Sequence, residues 1–260
     1  MMHRGIQEHV EKLAKSGKRL DGRSFTEYRQ PISVETGVIK TAEGSARVKI
    51  GKTELIVGVK VEIMKPYPDS PDQGSIMVGA ELLPLSSPDF ESGPPGIQAV
   101  ELARVVDRGI RESKSVDFKK LCIEKGEKAW MLVLDICTIN DDGNLFDASS
   151  LAAIAALKDM RFPKVEDGRI VFKEKTNTKL TIKDTPLSVT VHKMANVFIV
   201  DPISDEEKVS EARLTVASLS DGTLCALQKG GDAPLSAEDI NQMVDIAIEK
   251  GKELRKLIPK

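Results

Sequence analysis

Alternation of apolar and polar residues predicts strands near the start of the chain. The run from Ala46 to Ile50 alternates apolar with charged residues, as in a strand with one buried face. After the turn at Gly51-Lys52, a second run from Thr53 to Met64 has apolar residues at alternate positions. Two alternating runs joined by a short glycine-containing turn predict a β-hairpin.

Apolar residues spaced three and four apart predict helices elsewhere in the chain. We expect helices over residues 6–16, 97–113, 147–160 and about 236–257, and further strands over residues 130–139, 187–193, 197–200, 214–218 and 224–228. Because the helix 147–160 is rich in alanine, it can lie close against a sheet or another helix. The last helix opens at Ser236 with Asp239 three residues later, as in a capping box.

Strands followed by helices occur in both halves of the chain. This order predicts a two-layer α/β (α+β) fold with two pseudo-repeated halves, about 25–160 and about 165–260. No low-complexity linker separates the halves, so we expect a single domain over residues 1–260.

Composition narrows the class of protein. The chain has 260 residues, a net charge of −2 and only 4% aromatic residues, so any contact with nucleic acid requires a local basic patch. The three cysteines form no CxxC pair and the three histidines are scattered, which argues against a metal site. The chain has neither an apolar run long enough to span a membrane nor the apolar core of a signal peptide, so we expect a cytoplasmic protein.

Two short segments carry a resemblance to a known family. The chain reads Arg19-Leu20-Asp21-Gly22-Arg23 and later Thr41-Ala42-Glu43-Gly44-Ser45-Ala46. This layout resembles the opening of the RNase PH family, whose active members shorten RNA from the 3′ end with phosphate as the nucleophile. The resemblance continues to the C-terminal helix and implies an RNase PH-like fold.

The positions that bear the chemistry in active members hold other residues here. Ile97 and Gln98 stand where the resemblance implies an arginine pair, and Leu145 stands where it implies a phosphate-binding arginine. Arg213 occupies the register of the catalytic aspartate, and a cation there would repel Mg²⁺. We therefore expect no catalytic residue on this chain, although Glu211 is the nearest carboxylate that could replace the aspartate.

One face of the helix 97–113 is basic. Arg104, Arg108 and Arg111 fall at i, i+4 and i+7, and Lys114 follows them. This row could bind the phosphates of an RNA backbone. Alternatively, it is a solvated surface whose charges pair with nearby carboxylates, namely Glu101, Asp107 and Glu112.

Two acidic groups have alternative interpretations. The run Asp201, Asp205, Glu206, Glu207 and Glu211 could bind a metal, but a solvated loop is the favoured interpretation. For Asp141, Asp142 and Asp147, a turn followed by helix capping is favoured over a metal site.

The resemblance is greatest to the non-catalytic RNase PH-like chains of the archaeal exosome. It implies a structural and RNA-binding subunit in a ring that alternates with a related catalytic chain, three copies of each. It further implies RNA-binding cap subunits, single-stranded RNA as ligand, and Mg²⁺ and phosphate only at the catalytic partner. Two alternatives are an active phosphate-dependent 3′–5′ exoribonuclease that works alone and a scaffold that does not contact RNA.

Overall fold

The computed structural model describes residues 2–166 and 169–259. Residues 1, 167, 168 and 260, which the predicted domain 1–260 includes, lie outside the described part. The strands of the first half are β1 (Ile32–Thr36), β2 (Gly44–Ile50), β3 (Thr53–Met64), β4 (Ser75–Glu81), β5 (Cys122–Glu124) and β6 (Lys128–Asn140). Those of the second half are β7 (Arg161–Glu166), β8 (Arg169–Lys179), β9 (Leu187–Met194), β10 (Val197–Val200), β11 (Ala212–Ser218) and β12 (Leu224–Gly230).

The strands form two main sheets and a separate ribbon. The first sheet has the order β1-β2-β3-β6-β4, with β5 paired to β6, and only β4 runs parallel to its neighbour. The second sheet has the order β10-β9-β11-β12 and is antiparallel. The helices are α1 (Met2–Lys15), α2 (Ile97–Glu112), α3 (Leu145–Asp159), α4 (Ser204–Glu207) and α5 (Ala237–Arg255). Two sheets with helices packed against them confirm the predicted α/β fold, with one main sheet in each half of the chain.

The central helix α3 packs against both sheets, with β2 and β3 on one side and β9 on the other. Its alanines are fully buried, which lets the helix lie close to the strands as its composition predicts. Close approach is most evident at Gly44, where an added Cβ would lie 2.3 Å from the carbonyl oxygen of Ala156. One hydrophobic cluster therefore runs through both halves of the chain.

Several predicted elements are confirmed with small changes of bounds. The hairpin β2–β3 pairs Ile50 with Thr53 across the turn, and Gly51 adopts a positive φ of 58° there. Helix α5 has Ser236 as its N-cap and a reciprocal hydrogen bond with Asp239, as predicted. Helix α3 begins at Leu145, two residues earlier than expected. Within the described residues, no helix is long and apolar enough to cross a bilayer.

The acidic run that begins at Asp201 is not a solvated loop. Asp201 is 0% exposed, and its carboxylate accepts hydrogen bonds of 2.8 to 3.1 Å from the side chains of Arg23, Arg29 and Asn144. The backbone N–H of Arg29 adds another at 2.6 Å. Buried charges persist in proteins only when they are paired and hydrogen-bonded, and here two arginines meet that requirement.

Arg19 extends this network. Its Nη2 and Nε donate to the carboxylate of Glu206 at 2.6 and 3.2 Å, and its guanidinium also donates to the carbonyls of Val200 and Asp201 at 3.0 and 2.9 Å. Both Arg19 and Glu206 are buried. The Arg19–Arg23 motif therefore fastens the N-terminal segment to the start of α4 in the second half.

We predict that Asp201→Ala destabilises the fold by about 3–5 kcal/mol, because the substitution leaves Arg29 buried without its main partner. Urea unfolding at neutral pH measures this change. Asp205→Ala is the matched control, since Asp205 is exposed and lies four residues further along the chain, in α4; it should stay within about 0.5 kcal/mol of the parent. Equal stabilities for the two variants would contradict this assignment.

Candidate functional site

Three of the substituted positions lie around one cleft. Gln98 in the first turn of α2, Leu145 at the start of α3 and Arg213 on β11 all line a cavity of about 440 Å³. Ile97 lies just outside it, 89% exposed, on the wall of a neighbouring groove. Residues so distant in sequence meet here because α2, α3 and β11 pack together, so these positions mark a single site.

Arg213 is held by contacts on three sides. Its Nη2 donates to Glu101 Oε1 at 2.8 Å, and its guanidinium carbon lies 4.5 Å from the centre of the Phe146 ring. The opposite side contacts Gly230, where an added Cβ would lie 2.4 Å from the same carbon. The cation is therefore neutralised within the chain and links α2, α3 and β12, so its role in this structure is to hold these elements together.

The loop before α3, residues 142–144, forms hydrogen bonds with charged side chains of the same chain. Arg29 donates to the carbonyl of Gly143 at 3.0 Å and to Asp142 at 3.1 Å. The backbone N–H of Asn144 donates to Glu207 Oε2 at 3.3 Å, and that of Gly143 donates to Asp141 Oδ1 at 2.9 Å. N–H groups before a helix usually bind external anions well. Here two carboxylates of the chain accept those hydrogen bonds.

These two carboxylates make the cleft unsuitable for phosphate. Burial raises the pKa of Glu207 to about 7, and repulsion from Asp141 adds to the shift. Burial also raises the pKa of Asp141. The remaining charges of the cleft are paired, since Lys208 binds Asp89 at 2.6 Å and Arg213 binds Glu101. The residues present therefore do not fit the phosphate site that the family resemblance implies.

The sequence named Asp141 and Glu207 among possible metal ligands but did not predict that they meet at this cleft. Glu211, the expected replacement for a catalytic aspartate, accepts a hydrogen bond from the backbone N–H of Ala195 at 2.8 Å and does not line the cleft. The described residues include no group of three or more His, Cys, Asp or Glu side chains placed to hold a metal ion.

The basic row on α2 is only partly paired. Arg104 and Arg108 are exposed and have no carboxylate partner among the described residues, although Arg108 lies 3.3 Å from Gln228. Arg111 binds Asp107 at 2.9 Å and the carbonyl of Ile76 at 2.8 Å. Lys114 lies beyond the end of the helix, in the left-handed backbone region. The solvated, charge-paired alternative therefore holds for Arg111 alone.

Arg104, Arg108 and Arg111 line a long groove of about 990 Å³. Its sides are the strands β4 and β12, each at the edge of its sheet. Exposed apolar side chains also line it, among them Met77, Ile97, Val100 and Leu227. Open strand edges beside apolar residues are typical of surfaces that associate with another chain.

Comparison with known proteins decides the family. Residues 28–163 match domain 1 of the 3′ exoribonuclease family, RNase PH, and residues 184–250 match domain 2. The chain belongs to the RNase PH family. The order of motifs from Arg19 to the C-terminal helix therefore identified the family correctly.

The similar members of the RNase PH family include archaeal exosome proteins. "Exosome complex component Rrp42" of Methanothermobacter thermautotrophicus is 47% identical over 98% of this chain and 94% of that protein. The protein of the same name from Thermococcus gammatolerans is 45% identical over 97% and 93%. The chain spans nearly the whole length of these relatives.

Solved structures show the same fold. A chain of the Archaeoglobus fulgidus exosome with RNA bound to the active site matches with a TM-score of 0.90 and 43% identity over 98% of both chains. A chain of an archaeal exosome core matches with a TM-score of 0.88 and 40% identity over 100% of this chain and 98% of that one. Rice Rrp46, with a TM-score of 0.69 and 17% identity over 92% and 98%, shares the fold.

We predict that Glu207→Gln makes stability less dependent on pH. Because the pKa of Glu207 in the folded chain is about 7, above its ordinary value of 4.5, the folded state holds a proton that the unfolded state releases. The resulting stabilisation is fully present below about pH 4.5 and is lost as pH rises towards 7. Replacement should flatten this decline by at most about 1.4 kcal/mol per pH unit.

Urea unfolding at several pH values between 4.5 and 7 measures this slope. Glu249→Gln, an exposed position on α5, is the control for the loss of one carboxylate. If Glu207→Gln retained the full slope of the parent, Glu207 would not be the group that titrates.

Proposed function

We propose that this chain is a non-catalytic structural and RNA-binding subunit of an archaeal exosome core, which supports 3′–5′ phosphorolytic degradation by a related catalytic chain. The observation that carries the proposal is the cleft, where Asp141 and Glu207 accept the N–H hydrogen bonds of the loop before α3. Phosphorolysis needs an inorganic phosphate held by cationic and N–H donors. Here the N–H groups of Gly143 and Asn144 already donate to Asp141 and Glu207, so they do not bind a phosphate.

The relatives support the assembly part of the proposal. Proteins that share 45 to 47% of their residues with this chain are named exosome components, and the related chains belong to exosome structures. We infer a ring in which this chain alternates with its catalytic relative, three copies of each, with RNA-binding cap subunits on one face. Mg²⁺ and phosphate would be held by the catalytic relative, and we place the complex in the cytoplasm.

The groove lined by Arg104, Arg108 and Arg111 of α2, which we call the α2 groove, is the surface we assign to a neighbouring subunit. A heterologous contact that closes into a ring covers open strand edges on every subunit, and β4 and β12 are such edges. The apolar side chains Met77, Ile97, Val100 and Leu227 would then be buried. Because Arg104 and Arg108 line the same groove, they would lie beside the RNA path at the subunit boundary.

The RNA contact is proposed for Arg104, Arg108, Arg111 and Lys114. Arg104 and Arg108 have the largest expected share, because no carboxylate within the described chain neutralises them. Arg111 contributes less while it is paired with Asp107. An RNA backbone that follows this face would meet successive cations, which bind phosphate without regard to sequence.

Replacing Arg104, Arg108 and Arg111 together with alanine should weaken RNA binding by the assembled complex. Each lost phosphate contact reduces the slope of log affinity against log salt by about 0.7 for a single strand. Fluorescence anisotropy over a series of salt concentrations measures both quantities. The single variant Arg111→Ala should change the slope less than Arg104→Ala or Arg108→Ala.

Unchanged affinity and slope in the triple variant would favour the scaffold without RNA contact.

The active-enzyme alternative requires a catalytic carboxylate and a phosphate site on this chain. Among the cleft's carboxylates, Glu101 and Asp89 are tied to cations, and Asp141 and Glu207 occupy the loop. We therefore favour the non-catalytic assignment over that alternative.

A further inference from the structure

The ribbon formed by β7 and β8 is set apart from the two main sheets. These strands pair only with each other, as a two-stranded sheet. Its base is anchored by Phe162, whose ring centre lies 5.7 Å from that of Trp130. Residues 164–183, which include most of the ribbon, match neither domain of the family. Most of the ribbon therefore lies between the two matched domains.

The register of the ribbon places two cations face to face. Arg161 lies directly opposite Lys179. Every other directly opposed pair of charged residues in the described ladders is complementary: Glu35–Arg47, Lys49–Glu54, Glu124–Lys128 and Glu166–Arg169. Like charges directly opposite destabilise a ladder, so this pair costs stability unless an anion lies between them.

A third cation lies on the same ribbon. Lys175 is opposite Pro163, and a register irregularity separates this pair from the pair Arg161–Lys179. Asn177 lies between the two lysines, with its Oδ1 3.5 Å from Arg161 Nη1. Lys175 and Lys179 are exposed, and Arg161 is half-buried.

Arg161, Lys175 and Lys179 have no carboxylate partner within the described chain. The contrast is Lys164, which binds Glu166 at 2.7 Å and Glu174 at 3.2 Å. The ribbon therefore separates its charges into a neutralised set and an uncompensated set of Arg161, Lys175 and Lys179, which we call the ribbon face.

We propose that the ribbon face binds the phosphodiester backbone of single-stranded RNA. A phosphate between Arg161 and Lys179 would replace their repulsion with two attractive contacts, and the arginine fork can bind phosphate oxygens in pairs. Lys175 lies four residues from Lys179 on β8, so it offers a further phosphate contact along the same ribbon. This inference extends the RNA-binding part of the proposed function to a second surface, separate from the α2 groove.

The test is RNA affinity of the full-length chain with Arg161→Gln, Lys175→Gln and Lys179→Gln combined. A fluorescein-labelled oligoadenylate is the probe, and anisotropy is recorded over a series of salt concentrations. We expect affinity to fall about tenfold at low salt and the log–log salt slope to decrease by roughly 2, since three phosphate contacts are lost. The control combines Lys15→Gln, Lys252→Gln and Lys256→Gln, exposed positions that change the net charge equally.

A second variant separates binding from folding. Lys179→Glu replaces the repulsive pair with a complementary one, so it should raise the thermal unfolding temperature slightly while it lowers RNA affinity. A purely structural role for Lys179 predicts no loss of affinity with this change.

The inference fails if the ribbon variant binds RNA like the parent, or if the control variant loses affinity equally. If the ribbon variant bound RNA normally but no longer joined its catalytic relative, the ribbon face would instead bind an acidic protein surface. Loss of binding in Arg104→Ala and Arg108→Ala alone would preserve the proposed function and overturn only the ribbon assignment.

Discussion

The buried carboxylate of Asp201 determines how the two halves of this chain meet. A charge with no exposed surface would cost several kcal/mol without partners, and Arg23 and Arg29 supply them. Because Arg29 also donates to the loop at Asp142 and Gly143, the same interaction fixes the backbone that leads into α3. Arg19 and Glu206 hold α4 beside this loop, and Glu207 is the next residue along. The network thus sets the position of the carboxylate that faces the cleft.

Under the proposed function, this arrangement accounts for a cleft that does not support phosphorolysis although the fold is intact. The N–H groups that could bind an anion already donate to Asp141 and Glu207. Arg213 donates to Glu101, and its guanidinium lies over the ring of Phe146. The interactions that would otherwise bind substrate here hold α2, α3, α4 and β11 together. Within the described residues, cations without a carboxylate partner lie in the α2 groove and on the ribbon. Under the proposed function, catalysis and RNA binding are therefore separated within this member of the RNase PH family.

Local patterns predicted the elements that depend on local chemistry. The hairpin through Gly51 and the cap at Ser236 were found because alternation and capping residues act over a few positions. The family motifs also located Gln98, Leu145 and Arg213, which the fold brings to one cleft. Pairings between distant segments were not predictable in this way. The run from Asp201 resembles a solvated loop in sequence, and only contact with arginines more than 170 residues away buries it. The ribbon was missed because charged residues occupy both of its faces, which hides the alternation.

The most direct test of the non-catalytic assignment is release of nucleoside diphosphate from an end-labelled single-stranded RNA in the presence of phosphate and Mg²⁺. The purified chain, its catalytic relative and a mixture of the two are compared under the same conditions. The account predicts no release by this chain alone, and more release by the mixture than by the relative alone. Processive release by this chain alone would contradict it and would mean that a cleft carboxylate, Glu207 or Asp141, serves as the catalytic group.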